Sequence, residues 1–193
     1  QQLGAGNAVV NNGSLSAAPG GYVALFGNEV RNSGSIVAPR GSVALGAGER
    51  VRLSLDKDQL VRFAVDGATL GALVENRGVI QAEGGQVLLS ATAQDSVLRA
   101  VVNNTGIIEA RSLTERNGVI RLEGGSHGRI NVSGKLDVSA AAPNAHAGSI
   151  VVTGGASLRV DGTLRADAGV AGGDGGSIET SAPQVDVAGA QVS

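Results

Sequence analysis

The chain has 193 residues, with 15 Lys and Arg against 17 Asp and Glu, for a formal charge of −2 at neutral pH. That balance offers no basic field to nucleic acid, the lack of cysteine excludes disulfides and thiolate metal sites, and no apolar run approaches the roughly 18 residues of a membrane insertion. With 31 glycines but only one Tyr, two Phe and no Trp, the interior must be filled by short branched side chains rather than by large rings.

Taken in chain order, one element recurs: an apolar residue, a short polar corner, a glycine, then an alternating strand. It reads VVNNGSLSA at 9–17, VRNSGSIVA at 30–38, VENRGVIQA at 74–82 and VNNTGIIEA at 102–110. It continues as NVSGKLDVS at 131–139 and RVDGTLRAD at 159–167, and degrades to DVAGAQVS at 186–193. The corner glycines Gly13, Gly34, Gly78, Gly106, Gly134, Gly162 and Gly189 are spaced 21, 44, 28, 28, 28 and 27 residues apart. A second element follows each corner as a glycine and another alternating strand: GYVAL at 21–25, GSVAL at 41–45, GQVLL at 85–89, GVIRL at 118–122, GSIVV at 148–152 and GSIET at 176–180. A fainter third strand closes several units, as in RINV at 129–132 and SLRV at 157–160.

Side chains alternate with period 2 along a strand, so the pattern assigns faces. Leu15, Ile36, Ile80, Ile108, Leu136 and Leu164 point inward, as do Ala17, Ala38, Ala82, Ala110, Val138 and Ala166 two places on. Between them Ser16, Val37, Gln81, Glu109, Asp137 and Arg165 point to solvent. Parallel neighbours in a flat sheet need long crossovers, usually helical, and no amphipathic helix separates these strands. Winding each unit onto the last removes the need. The expected fold is therefore all-β: a right-handed parallel β-helix of about seven coils, roughly 33 Å long at ~4.8 Å per coil.

Each corner glycine is expected to adopt positive φ. Asn11, Asn32, Asn76 and Asn104, two positions before their glycines, are placed to stack and to hydrogen-bond one another, and Val132 and Val160 then take over that position. The doubled spacing between Gly34 and Gly78 marks an irregularity near 46–72, either an extra coil or a β-hairpin insertion; the favoured form is an extra coil with a hairpin projecting from the shaft. VRLSL and LVRFAV alternate around the turn sequence DKDQ. Arg52, Asp56, Lys57, Asp58, Arg62 and Phe63 make this segment the candidate partner surface, with a folding or capping role as the rival reading.

The stretches LVENRGVIQAEGGQVLLSA at 73–91 and VVNNTGIIEARSLTERNGVIRLEGG at 101–125, with VSGKLDVSA and GGSIET after them, resemble the filamentous haemagglutinin family of large exoproteins exported by two-partner secretion. The resemblance covers essentially the whole chain. It implies a β-helix, an outer-membrane transporter as partner, a secreted or cell-surface location, and attachment to a host receptor, matrix protein or glycan, or within a biofilm. On this reading residues 1–125 are haemagglutinin-like coils and 126–193 degenerate shaft repeats. The whole is then a single segment of a longer chain, spanning the end of the secretion domain and the start of the shaft.

The expected function is a non-catalytic adhesin shaft, with no catalytic residue, metal or cofactor. The alternatives are a polysaccharide-acting β-helix enzyme and the stalk of a contact-dependent toxin. An enzyme needs several acids and bases in one groove. Only Glu109 and Asp137 fall on consecutive coils, and they read as solvated ladder positions. His127 and His146 lie in unlike loops with no metal-ligand spacing, and AGGDGGS at 171–177 is a single copy of a motif that binds calcium only in tandem. Sequons occur at Asn12, Asn103 and Asn131, at corners where Asn, Ser and Thr are abundant anyway.

Overall fold

The computed structural model describes residues 8–55, 61–66, 71–93 and 101–193. The first described strands are β1 (Ala8–Asn11), β2 (Ser14–Ser16) and β3 (Tyr22–Gly27), and the triplet repeats as β4 (Glu29–Asn32), β5 (Ser35–Val37) and β6 (Ser42–Ala47). A pair, β7 (Arg50–Leu55) and β8 (Val61–Asp66), interrupts. The triplets resume with β9 (Leu73–Asn76), β10 (Val79–Gln81) and β11 (Gln86–Ala91), then β12 (Val101–Asn104), β13 (Ile107–Glu109) and β14 (Val119–Glu123). They continue with β15 (Arg129–Val132), β16 (Lys135–Asp137) and β17 (Ser149–Thr153), and with β18 (Ser157–Val160), β19 (Thr163–Arg165) and β20 (Ser177–Ser181). The chain closes on β21 (Gln184–Asp186) and β22 (Gln191–Val192).

These strands form three parallel sheets, ordered β1-β4-β9-β12-β15-β18-β21, β2-β5-β10-β13-β16-β19-β22 and β3-β6-β11-β14-β17-β20. The molecule is a parallel β-helix: apart from β7 and β8, each strand pairs in parallel with its equivalents on the adjacent turns, and the described residues contain no helix. The faint third strand of the sequence pattern is a complete sheet of seven short strands.

Register places like on like. Ile36 pairs with Ile80, Ile80 with Ile108, Ile108 with Leu136, and Leu136 with Leu164. All five are 0–1 % exposed. In the third sheet Val43, Val87, Ile120 and Ile150 form one buried row, and Leu45, Leu89, Leu122 and Val152 form the next. The first sheet adds Val30, Val74, Val102, Ile130 and Leu158. One continuous apolar core results, and burying a Leu or Ile side chain contributes about 1.5–3 kcal/mol.

The corner glycines do not take positive φ; among the described residues that conformation belongs to Gly20, Gly71, Gly84, Gly125, Gly172, Gly173 and Arg40. Their reason is close approach. The carbonyl of Gly34 accepts the Val79 N–H at 3.0 Å, and that of Gly78 accepts the Ile107 N–H at 2.9 Å. Each such bond draws one corner's carbonyl beneath the next corner's Cα. A Cβ on Gly34, Gly78, Gly106, Gly134 or Gly162 would collide with the glycine oxygen of the preceding coil. Positive φ is needed one corner further on, where Gly20, Arg40 and Gly84 occupy equivalent turns; Arg40 accepts it without being glycine (φ 54°).

There is no extra coil between Gly34 and Gly78. β4 pairs directly with β9, β5 with β10 and β6 with β11, so 44 residues climb one rung as 21 do between Gly13 and Gly34. The surplus is the antiparallel hairpin β7–β8, whose register pairs Val51 with Val65 and Leu53 with Phe63 along the backbone.

Candidate functional site

The hairpin does not project from the shaft; it lies on the outer face of the third sheet. Its alternation explains why. Arg50, Arg52, Ser54 and Ala64 are exposed, whereas Val51, Phe63 and Val65 are half-buried. Phe63 meets Tyr22 at 5.8 Å between ring centroids and Phe26 at 5.7 Å, both tilted, so the chain's three benzene-type rings form one cluster. Gly46 of β6 has no room for a Cβ because the Phe26 ring and Val65 pack against it. Of the candidate partner surface, Phe63 therefore turns toward the shaft and Arg52 toward solvent. Asp56, Lys57, Asp58 and the Arg62 side chain lie outside the described residues.

The asparagines stand in a row inside the corner. Asn11 Nδ2 donates to Asn32 Oδ1 at 2.7 Å, Asn32 to Asn76 at 2.8 Å, and Asn76 to Asn104 at 2.8 Å. The row ends where Asn104 Nδ2 donates to the Gly106 carbonyl at 3.2 Å, and Val132 pairs beyond it. Asn32, Asn76 and Asn104 are fully buried. A primary amide has a donor and an acceptor on opposite sides, so a stack of them satisfies itself where neither water nor a charged group fits.

The outer face of the second sheet holds the main cluster of titratable groups. Lys135 Nζ lies 3.2 Å from Glu109 Oε1 and 2.7 Å from Asp137 Oδ2. Gln81 Nε2 donates to Glu109 Oε2 at 3.1 Å, and the Ser139 N–H donates to Asp137 Oδ1 at 2.9 Å. Asp137 is thus not a solvated position: it is 3 % exposed, because its carboxylate is spent on a backbone N–H and an ammonium. Burial works to raise both carboxyls, but hydrogen bonds from Gln81 and Lys135 to Glu109, and from Lys135 and Ser139 to Asp137, hold them below the usual carboxylate range. Lys135 goes the other way: burial works to lower it, and its bonds to Asp137 and Glu109 raise it. A general acid needs a carboxyl pushed up toward neutrality. Neither carboxyl is raised; both instead pair with Lys135, which makes the trio an ion cluster.

Lys135 escaped the sequence reading, although its place two residues before Asp137 on one strand face was the available signal. The same register joins Arg111 to Glu83 in a short ion pair, and sets Arg31 3.3 Å from Glu75. The sequon residues Asn103 and Asn131 are neighbours on the outer face of the first sheet, with Asn131 Nδ2 donating to Asn103 Oδ1 at 2.9 Å; Asn12 is exposed at its corner. His146 Nδ1 accepts the Asp174 N–H of the next coil at 2.9 Å, which ties two loops together.

The family model of the TPS secretion domain matches residues 1–138, a stretch that runs through β16 and includes both the hairpin and the asparagine row. No curated protein matches the chain.

Proposed function

We propose a function from a single premise: this chain belongs to the family of TPS secretion domains. It is thus a two-partner-secretion exoprotein, with an outer-membrane TpsB transporter as its partner and a secreted or cell-surface location. The family is a secretion and structural domain of exoproteins and not a family of enzymes.

Beyond that premise, we read the chain as part of a non-catalytic adhesin shaft that holds binding surfaces away from the cell, toward host cells, matrix or biofilm. The carrying observation is the unbroken register of three parallel sheets over one apolar core. Such stacking resists bending, because a bend must open backbone ladders on one side. The ion cluster on the second sheet supports the non-catalytic reading, since its carboxyls stay ionised and its lysine charged at neutral pH. The contact surface of the segment is the solvent side of the hairpin, where Arg50 and Arg52 stand two residues apart.

The test is attachment of the purified, labelled chain to epithelial cells and immobilised matrix proteins, beside a variant lacking residues 54–66 and an Arg50→Glu/Arg52→Glu variant that keeps the hairpin. Saturable attachment weakened in both variants is expected. A folded chain that attaches to nothing, or attaches equally well with both arginines reversed, would remove the hairpin from the adhesive role.

A further inference from the structure

The docked hairpin walls one side of a groove on the outer face of the third sheet. Register sets out its floor: Ser42 on β6 beside Gln86 on β11, then Leu88 beside Arg121 on β14, then Glu123 two residues further along β14. Phe63 supplies the wall. The groove holds about 180 Å³. Sites for drug-sized ligands occupy ~300–1,000 Å³, so this one is scaled to a single small ring.

Its polar groups are idle. Ser42 is 2 % exposed, and its hydroxyl has no hydrogen-bond partner among the described residues. Gln86, Arg121 and Glu123 make no side-chain hydrogen bond or ion pair with a described residue. An unpaired buried hydroxyl costs about 1–3 kcal/mol and is normally satisfied. That buried hydroxyl, the half-buried Gln86 and Glu123 and the exposed Arg121, set around an aromatic wall and the Leu88 side chain, define the chemistry of a fitting ligand. It must offer donors and acceptors together, expose one apolar face, and carry no net charge. Arg121 and Glu123 cancel in charge, so neutral hydroxyls can pair with both, whereas a hydrocarbon would leave every polar group unpaired.

We propose that this groove binds a neutral hexopyranose, the end residue of a glycan. The C–H face of the ring lies against Phe63 and Leu88. Glu123 accepts from ring hydroxyls, Arg121 donates to them, and Gln86 and Ser42 do either. The inference deepens the attachment reading but uses a different surface from the solvent side of the hairpin, so each can fail alone.

The experiment is an NMR titration of the 193-residue chain, whose aromatic spectrum is simple because it holds only one Tyr, two Phe and two His. The probes are the methyl glycosides of glucose, galactose, mannose and N-acetylglucosamine, with methyl glucuronide as the charged comparison. At least one neutral glycoside should saturate with Kd on the order of 1 mM and show contacts from its C–H protons to the Phe63 ring. Arg121→Ala and Glu123→Gln, both at surface positions, should each weaken binding about tenfold or more with unchanged thermal unfolding. Arg50→Glu/Arg52→Glu should leave it intact. A folded chain with no saturable response to any neutral glycoside, a response that survives both groove substitutions, or tighter binding of the glucuronide would overturn the proposal.

Discussion

Asn76 is held from both sides along the axis: its Oδ1 accepts from Asn32 and its Nδ2 donates to Asn104. Its apolar isostere therefore strands two neighbours. Asn76→Leu leaves a buried amide donor on one coil and a buried amide acceptor on the next, each costing about 1–3 kcal/mol. The variant should lose roughly 2–6 kcal/mol in chemical denaturation, read as a lower midpoint at unchanged slope. The corner glycines yield a sharper comparison. Gly78→Ala drives a Cβ into the Gly34 carbonyl, whereas the space around Gly13 holds only the Asn11 amide oxygen at 4.0 Å among the described residues. Neither position has positive φ, so a conformational cause would penalise the two alike. We expect Gly78→Ala to destabilise strongly and Gly13→Ala by less than about 1 kcal/mol. Equal losses in thermal melts would show that close approach is not what selects glycine here.

Sheets and hairpins add what single residues do not. On the second sheet, the lowered Glu109 and Asp137 carboxyls mean that the unfolded chain binds protons at a pH where the folded chain does not. Their stabilisation is complete above the ordinary carboxylate range and is lost as pH falls through the lowered folded values, so stability should decline from about pH 4 downward. The raised Lys135 is fully stabilising below the ordinary lysine pKa and loses its contribution only as pH climbs past its raised folded value. Denaturation midpoints from neutral to strongly acid pH should therefore fall more steeply in the native chain than in Lys135→Met. Parallel curves would separate the lysine from the carboxyl shifts.

How much of these elements the sequence discloses depends on the distance over which the physics acts. The inward rows from Leu15 to Leu164 were readable, because period-2 burial is a property of each strand alone. The asparagine row was readable too, since its members share one offset from a glycine. The glycines themselves misled: the residue type answers equally to positive φ and to a missing Cβ, and only coil-to-coil hydrogen bonding decides between them. The 44-residue spacing imitates two repeats, and only the pairing of β4 with β9 shows that it is one coil with an insertion. Neither Lys135 bridging two carboxylates nor the groove from Ser42 to Glu123 was visible, since both arise from register between strands many residues apart and from a hairpin folding back on the sheet.

For the whole molecule, each coil touches only its neighbours, so stability is close to a sum of coil and interface contributions. The middle coils have neighbours on both sides, and Ile80, Ile108, Ile120 and Ile130 are fully buried. By contrast β21 and β22 are exposed along their length. Native-state hydrogen exchange should be slowest at β10 to β15 and rise toward β20 to β22, in steps of one coil. A single exchange rate across all three sheets would mean that the rod opens only as a unit.

Because 21, 28 and 44 residues each advance the helix by the same single rung, the reach of this rod is uncoupled from the length of its polypeptide. The turn after β6 can hold added sequence, as it holds the hairpin, without shifting the coils on either side. A module of any size grafted there would keep the same position along the helix axis. The same indifference makes that turn a natural address for a foreign peptide in a displayed vaccine scaffold.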